Sequence, residues 1–200
     1  WNFMCAECHS TDFQKNYDAA SDSYHSTWSE IDVSCEACHG PGSRHVDWAS
    51  QESSDDVTKG LLTRLNSGYR PDWQIDPVSG NAVAHQPAGS GAEIEVCARC
   101  HSRRAQLFGD YHYAALLDSH LPSLLTDQLY HADGQIDGEV YEYGSFLQSK
   151  MYHAGVRCSD CHEPHSLKLR LLGNGLCGQC HRAAKYDTEQ HHFHPVGKAG

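Results

Sequence analysis

The stretch Cys35-Glu36-Ala37-Cys38-His39-Gly40-Pro41-Gly42 decides how the chain is read. Two thiols stand three positions apart, and an imidazole follows the second directly. The same Cys-x-x-Cys-His arrangement recurs at Cys5/Cys8/His9, Cys97/Cys100/His101, Cys158/Cys161/His162 and Cys177/Cys180/His181. The motifs use all 10 cysteines. Two thiols at this spacing can each add to one vinyl group of a haem, and the adjoining histidine then lies under the ring as the proximal iron ligand. This is the pattern of c-type haem attachment. Paired cysteines also bind zinc, two pairs to a metal, and 10 cysteines can form disulfides. Neither alternative requires a histidine after every second cysteine. With His at 16 of 200 residues, five chance occurrences have odds of roughly three in a million. The expected cofactors are therefore five c-type haems (heme c, each with its iron).

The composition agrees with such a load. Apolar residues are 39% of the chain and mean hydropathy is -0.61, too little for an ordinary core. One haem for about every forty residues would supply the missing apolar volume. The fold class expected is mainly α with much irregular loop, a haem-centred multihaem cytochrome c fold with a minor β-hairpin. A single pentahaem domain over residues 1–200 is expected, with long haem-free loops at about 50–95 and 102–150. The formal charge of -11 argues against nucleic acid, which needs a basic footprint. Ferric haems with two propionates each would carry it to about -16. No apolar run reaches the ~18 residues of a membrane span. The chain starts at Trp1 with its first cysteine four residues later, as expected of a segment whose export signal has been removed. Thioether attachment is made outside the cytoplasm, so a periplasmic or extracellular location is expected.

What lies on the far side of each iron separates a conduit from an enzyme, because an iron with one protein ligand is open to substrate. Met4 and Met151 are the two methionines, so Met/His ligation is not the general scheme. Eleven histidines remain beyond the proximal five, enough for bis-His ligation throughout. His45 follows the Gly40-Pro41-Gly42 turn, which can start a short helix aimed at a neighbouring haem. His165, three residues after His162, cannot easily reach over its own haem and would cap a neighbour. His153 lies five residues before Cys158, on a helix-like stretch from Gly144 to Ala154. The cluster His191-His192-Phe193-His194 should give one ligand, with His194 favoured because Pro195 fixes the next turn. His120 and His131 flank the apolar segment Leu121 to Leu129, where Pro122 suits a first helical turn. His25, His85 and His112 rank lower.

Other features read more plainly. Trp73-Gln74-Ile75 and Ala82-Val83-Ala84 flank a turn-forming stretch and suggest a small hairpin or surface loop. Gly/Asp turns are expected at Asp133-Gly134 and Asp137-Gly138, and the closely spaced motifs at Cys158 and Cys177 should hold adjacent haems. Trp28 and Trp48 suit porphyrin edges, though Trp48 also suits a helix core. Arg103 and Arg104 suit propionates or a solvated face. The acidic run Glu52, Asp55, Asp56 reads as solvated surface.

Three blocks carry a resemblance: Trp1-Asn2-Phe3-Met4-Cys5-Ala6-Glu7-Cys8-His9-Ser10, Val33 to Ser43 around the second motif, and Gly155-Val156-Arg157-Cys158-Ser159-Asp160-Cys161-His162-Glu163-Pro164-His165-Ser166. They are similar to bacterial multihaem cytochromes c related to the hydroxylamine oxidoreductase superfamily, including those fused to tetratricopeptide repeats. The similarity extends over nearly the whole chain. It implies closely packed bis-His haems in stacked and perpendicular pairs, with His45, His165 and the 191–194 cluster as distal ligands. In that family the haem region usually continues at both ends. The resemblance thus implies that some histidines serve haems elsewhere, and that the chain hands electrons to a copy of itself in an oligomer or filament.

The expected function is extracytoplasmic electron transfer through five covalent haems. Redox proteins or terminal electron acceptors would be the partners. The alternative is an oxidoreductase acting on small nitrogen or sulfur compounds at one open haem. No motif carries Lys in place of His, and the surplus of histidine makes an open iron unnecessary. A structural haem protein is the third reading.

Overall fold

The computed structural model describes residues 1–2, 5–51, 55–65, 71–85, 91–107, 115–193 and 195. Met4, Glu52, His112 and His194 lie outside the described residues. The fold is a mixture of short helices and short antiparallel strand pairs, with 28% helix among the described residues. The helices, the irregular chain and the hairpin match the expectation in part, and three further strand pairs make the fold mixed where a mainly α chain was expected. Four two-stranded antiparallel pairs are present among the described residues. The hairpin read from sequence is one of them. Trp73–Ile75 pairs with Ala82–Ala84 in the register Trp73↔Ala84, Gln74↔Val83, Ile75↔Ala82.

The chain divides into two compact units, one of Trp1–Ser67 with Ser90–Gln148 and one of Gly68–Gly89 with Ser149–Gly200. The first contains the motifs at Cys5, Cys35 and Cys97, and the second those at Cys158 and Cys177.

The first unit has a small apolar core. Its buried apolar side chains are Ala6, Phe13, Ile94, Val96, Ala98, Leu116, Tyr130 and Val140. Helix Ala92–Ala98 supplies three of these, and Glu93 and Glu95 in its first turn suit the positive end of its dipole. Glu95 Oε2 also accepts the Leu116 N–H at 2.6 Å, satisfying an orphan donor where helix Leu116–Ser119 begins.

Strand His120–Pro122 follows and pairs with Arg104–Gln106. The expected helix start at Pro122 is therefore replaced by strand. Proline is tolerated at the end of a two-stranded edge. Leu121, Leu124 and Leu125 stay exposed, so no apolar face demands a helix there. The turns at Asp133-Gly134 and Asp137-Gly138 are present, with Gly134 at φ 85 and the Gly138 N–H donating to Leu129 O.

The Gly40-Pro41-Gly42 turn does start a helix, Ser43–Ala49, which carries His45. The loop at 56–60 closes against this helix. Asp56 accepts from the Thr58 N–H at 2.8 Å and the Gly60 N–H at 3.0 Å, so it organises a turn and is more than a solvated charge. Gly60 has φ +71, and a Cβ there would meet the Arg44 carbonyl.

The second unit is built differently. Among its described residues none of the large apolar side chains is buried, while Met151, Leu167, Leu169, Leu171 and Leu172 are exposed. Its helices, such as Lys150–His153, Cys158–Cys161, Asn174–Gly178 and Ala183–Tyr186, are four or five residues long. The helix-like stretch expected from Gly144 to Ala154 is split into Tyr143–Leu147 and Lys150–His153. No helix among the described residues is long and apolar enough to cross a membrane.

The Gly60 geometry gives the first prediction. Gly60→Ala should destabilise the protein by about 1–3 kcal/mol in denaturant unfolding, from its left-handed backbone and the approach of Arg44. Gly91→Ala is the control, since a Cβ there meets nothing within 4 Å.

Candidate haem-attachment sites

Each Cys-x-x-Cys-His motif closes an i→i+4 turn, within helix at Cys35–His39, across helix ends at the third, fourth and fifth motifs, and outside any helix at the first. The histidine N–H donates to the carbonyl of the first cysteine at His9 (3.0 Å), His101 (2.9 Å) and His181 (2.9 Å). The His162 N–H does the same to Cys158. The motif at Cys35 is itself helix Cys35–His39. An i→i+4 turn brings the thiols at i and i+3 and the imidazole at i+4 to one face. All ten cysteines are free thiols. Paired unoxidised thiols and an adjoining imidazole on one face are the donor set that a covalent haem requires, so the residues fit the group. Among the described residues no three His, Cys, Asp or Glu side chains gather as a metal-holding group.

Within the first unit the first and third motifs meet. Cys8 Sγ lies 3.9 Å from Cys100 O, and Arg104 Nη2 is 3.8 Å from the same sulfur. A hydrogen bond with the Cys100 side chain, distinct from the contact with its carbonyl, and the Arg104 charge outweigh burial and hold the Cys8 thiol down at about 6. That interaction between the two side chains and burial push Cys100 up, with a smaller push from Cys38 of the second motif. In the second unit, burial, Asp160 and Cys177 push Cys161 up. The thiols of the fourth and fifth motifs are thus close enough to feel one another.

Glu7, between the cysteines of the first motif, is a contact that the sequence reading missed. Its carboxylate lies 3.3 Å from Arg104 Nη2, 3.1 Å from His120 Nε2 and 3.9 Å from Lys15 Nζ. Burial acts to raise its pKa, but the His120 hydrogen bond and the Arg104 and Lys15 charges together hold it below 4.5. His120 also has Nδ1 2.8 Å from Ser119 Oγ. Both its ring nitrogens are engaged, and this competes with the iron-ligand role expected of it. Arg104 is a buried partner of Glu7, whereas Arg103 is exposed and donates to Glu139 O at 3.2 Å.

The other candidate ligands differ in how they are held. His45 has Nδ1 2.7 Å from Lys59 O. A carbonyl cannot donate, so Nδ1 carries the proton and Nε2 keeps its lone pair, the form in which imidazole binds a metal. The ring stacks on Trp48 at 5.5 Å and 18°. His181 is fixed in the same way, with Nδ1 2.8 Å from Asn81 Oδ1. His131 and His165 are exposed and lie 3.5 Å from Asp137 and Glu163 respectively. His153 ends its helix with its ring edge-on to Tyr152 at 5.4 Å. His191 is edge-on to Tyr186 at 5.0 Å. Trp28 is exposed and edge-on to Trp1 at 5.8 Å.

The Glu7 cluster has a pH signature. A carboxyl whose folded pKa is lowered stabilises above its unfolded value of 4.5, and that contribution fades as pH falls through the folded value. Glu7→Gln should therefore be less stable than the parent at pH 7 in urea unfolding. The gap should shrink as pH falls below about 4.5.

The chain matches no protein-family model, no curated protein and no solved structure.

Proposed function

We propose that the chain is an electron carrier working outside the cytoplasm, in the periplasm or beyond the cell. It holds five c-type haems covalently, most of them with two histidines on the iron. The observation that carries this reading is the five-fold hydrogen-bonded turn, each with two free thiols and a histidine N–H closing onto the first cysteine.

Two further observations support it. The second unit has two motifs and no buried large apolar side chain among its described residues, so it needs an apolar body from elsewhere. His45 is presented with Nδ1 bonded and Nε2 open, as a distal ligand must be.

In this reading the two thiols of each motif would hold the group, each S–H adding across a vinyl C=C so that sulfur bonds one carbon and the hydrogen the other, with no net oxidation. Bound in this way, the haem supplies a one-electron iron couple. His9, His39, His101, His162 and His181 bind the irons proximally. His45, His153, His165 and the 191–194 cluster supply distal ligands, with His120 and His131 as further candidates. Two imidazoles per iron keep it low-spin and exclude water and substrate from the metal. The attachment prevents loss of the group in a compartment where it could not be replaced. The mixed haem-centred fold, redox proteins or terminal acceptors as partners, and self-association into an oligomer or filament belong to the same proposal.

Low-temperature EPR of the oxidised protein, integrated against total iron, tests it. Five haems per chain by the pyridine haemochrome assay and wholly low-spin signals are expected. A high-spin ferric signal near one-fifth of the iron would reveal an open haem, and the reading would pass to an oxidoreductase of small nitrogen or sulfur compounds. His45→Ala should keep five haems while turning about one-fifth of the iron high-spin. An unchanged spectrum would remove His45 from the ligand set.

A further inference from the structure

We infer that Asn81, from a hairpin 100 residues before His181 in sequence, is a positioning residue that sets the tautomer and the redox potential at that histidine. The inference rests on the haem reading above and goes beyond it.

Asn81 ends the turn of the hairpin formed by Trp73–Ile75 and Ala82–Ala84. Asp76 builds that turn by accepting the Ser79 N–H at 2.6 Å, while the Gly80 N–H donates to Asp76 O at 2.8 Å. Gly80 has φ +73, which a side chain would strain. The turn then locks onto the fifth motif from both sides of its histidine. The Ala82 N–H donates to Cys180 O at 2.6 Å, and the Arg182 N–H donates to Gly80 O at 2.8 Å. Asn81 and His181 form the β-bridge between those two bonds.

Beyond the motif, Tyr186 Oη donates to Ser79 O at 3.0 Å and Lys185 Nζ to the same oxygen at 2.8 Å. The Tyr186 ring stands edge-on to His181 at 5.3 Å. The amide at position 81 is thus held by backbone on either side and has little freedom to leave the imidazole.

The chemistry follows from the 2.8 Å contact between Asn81 Oδ1 and His181 Nδ1. The amide oxygen accepts, so Nδ1 carries the proton and Nε2 is the nitrogen left for the iron. A hydrogen bond from Nδ1–H raises the electron density at Nε2, and the stronger the acceptor the greater the effect. Higher density at Nε2 favours ferric over ferrous iron and lowers the potential. A neutral amide is an intermediate acceptor, between a carboxylate and an apolar side chain. Residue 81 therefore acts on one haem of the five.

The test uses the holoprotein. The parent is first counted for haem: fewer than five, with Cys177 and Cys180 unmodified by mass spectrometry, would overturn the haem reading itself. With five present, Asn81→Asp and Asn81→Leu are titrated redox-wise with EPR detection. One of the five potentials should fall in N81D and the same one should rise in N81L, with the other four unmoved. Shifts in the same direction, or no shift with five haems retained, would overturn the positioning role. Loss of the fifth haem in both variants would also overturn it, since residue 81 would then be a support for attachment. If only N81L loses that haem, N81D decides, because aspartate keeps an acceptor at the same place.

Discussion

A turn closed by one hydrogen bond fixes several backbone torsions for little return, and alone in water it does not persist. This chain is built on such turns. Each motif depends on the bond from the histidine N–H to the first cysteine carbonyl, and the helices around them are hardly longer. Their permanence has to come from what they are tied to. In the first unit that is partly protein: Ile94, Val96, Leu116 and Val140 give the third motif a buried backing. In the second unit the ties are polar, running from hairpin to motif through backbone donors and Asn81. Haem bonded through two sulfurs and one nitrogen would convert each marginal turn into a cross-linked one.

How far this was legible in the sequence depends on the range of the signal. The hairpin at 73–84 and the helix after Gly40-Pro41-Gly42 were readable because turn-forming residues sit next to the segments they shape. The motifs were readable from their spacing, although the turn each one closes was not read from it. The strand His120–Pro122 was not readable. A proline after an apolar residue suits a first helical turn and a strand edge equally, and only the distant partner Arg104–Gln106 decides. The two remaining strand pairs are two residues long in each strand, too short for any alternation to be read.

The site divides along the same line. The thiols and proximal histidines are written in local spacing, but the groups that hold them are not. Asn81 lies 100 residues from His181, and Glu7 lies 113 from His120. Glu7 occupies a position of the motif that tolerates any residue, so the pattern could not mark it. His45 was visible from its turn, whereas the carbonyl that orients it depends on Asp56 and Gly60 shaping a loop more than ten residues away. Polar second partners of this kind have no periodicity and surface only when the chain is folded.

The second unit is made of two stretches separated by the long segment from Ser90 to Gln148, which belongs to the other unit. Its hairpin leaves the ribosome, or an export channel, well before the motif it holds. Until the fifth motif arrives the hairpin has only its own strand pairing, and two strands alone are marginal in water. The closing contacts are therefore of high sequence separation, the kind that form late and slowly. The loop entropy for that closure grows only with the logarithm of the intervening length. Synthesis order thus leaves the hairpin, not the motif, waiting unpartnered, and Asn81 meets the imidazole only once the fifth motif has emerged.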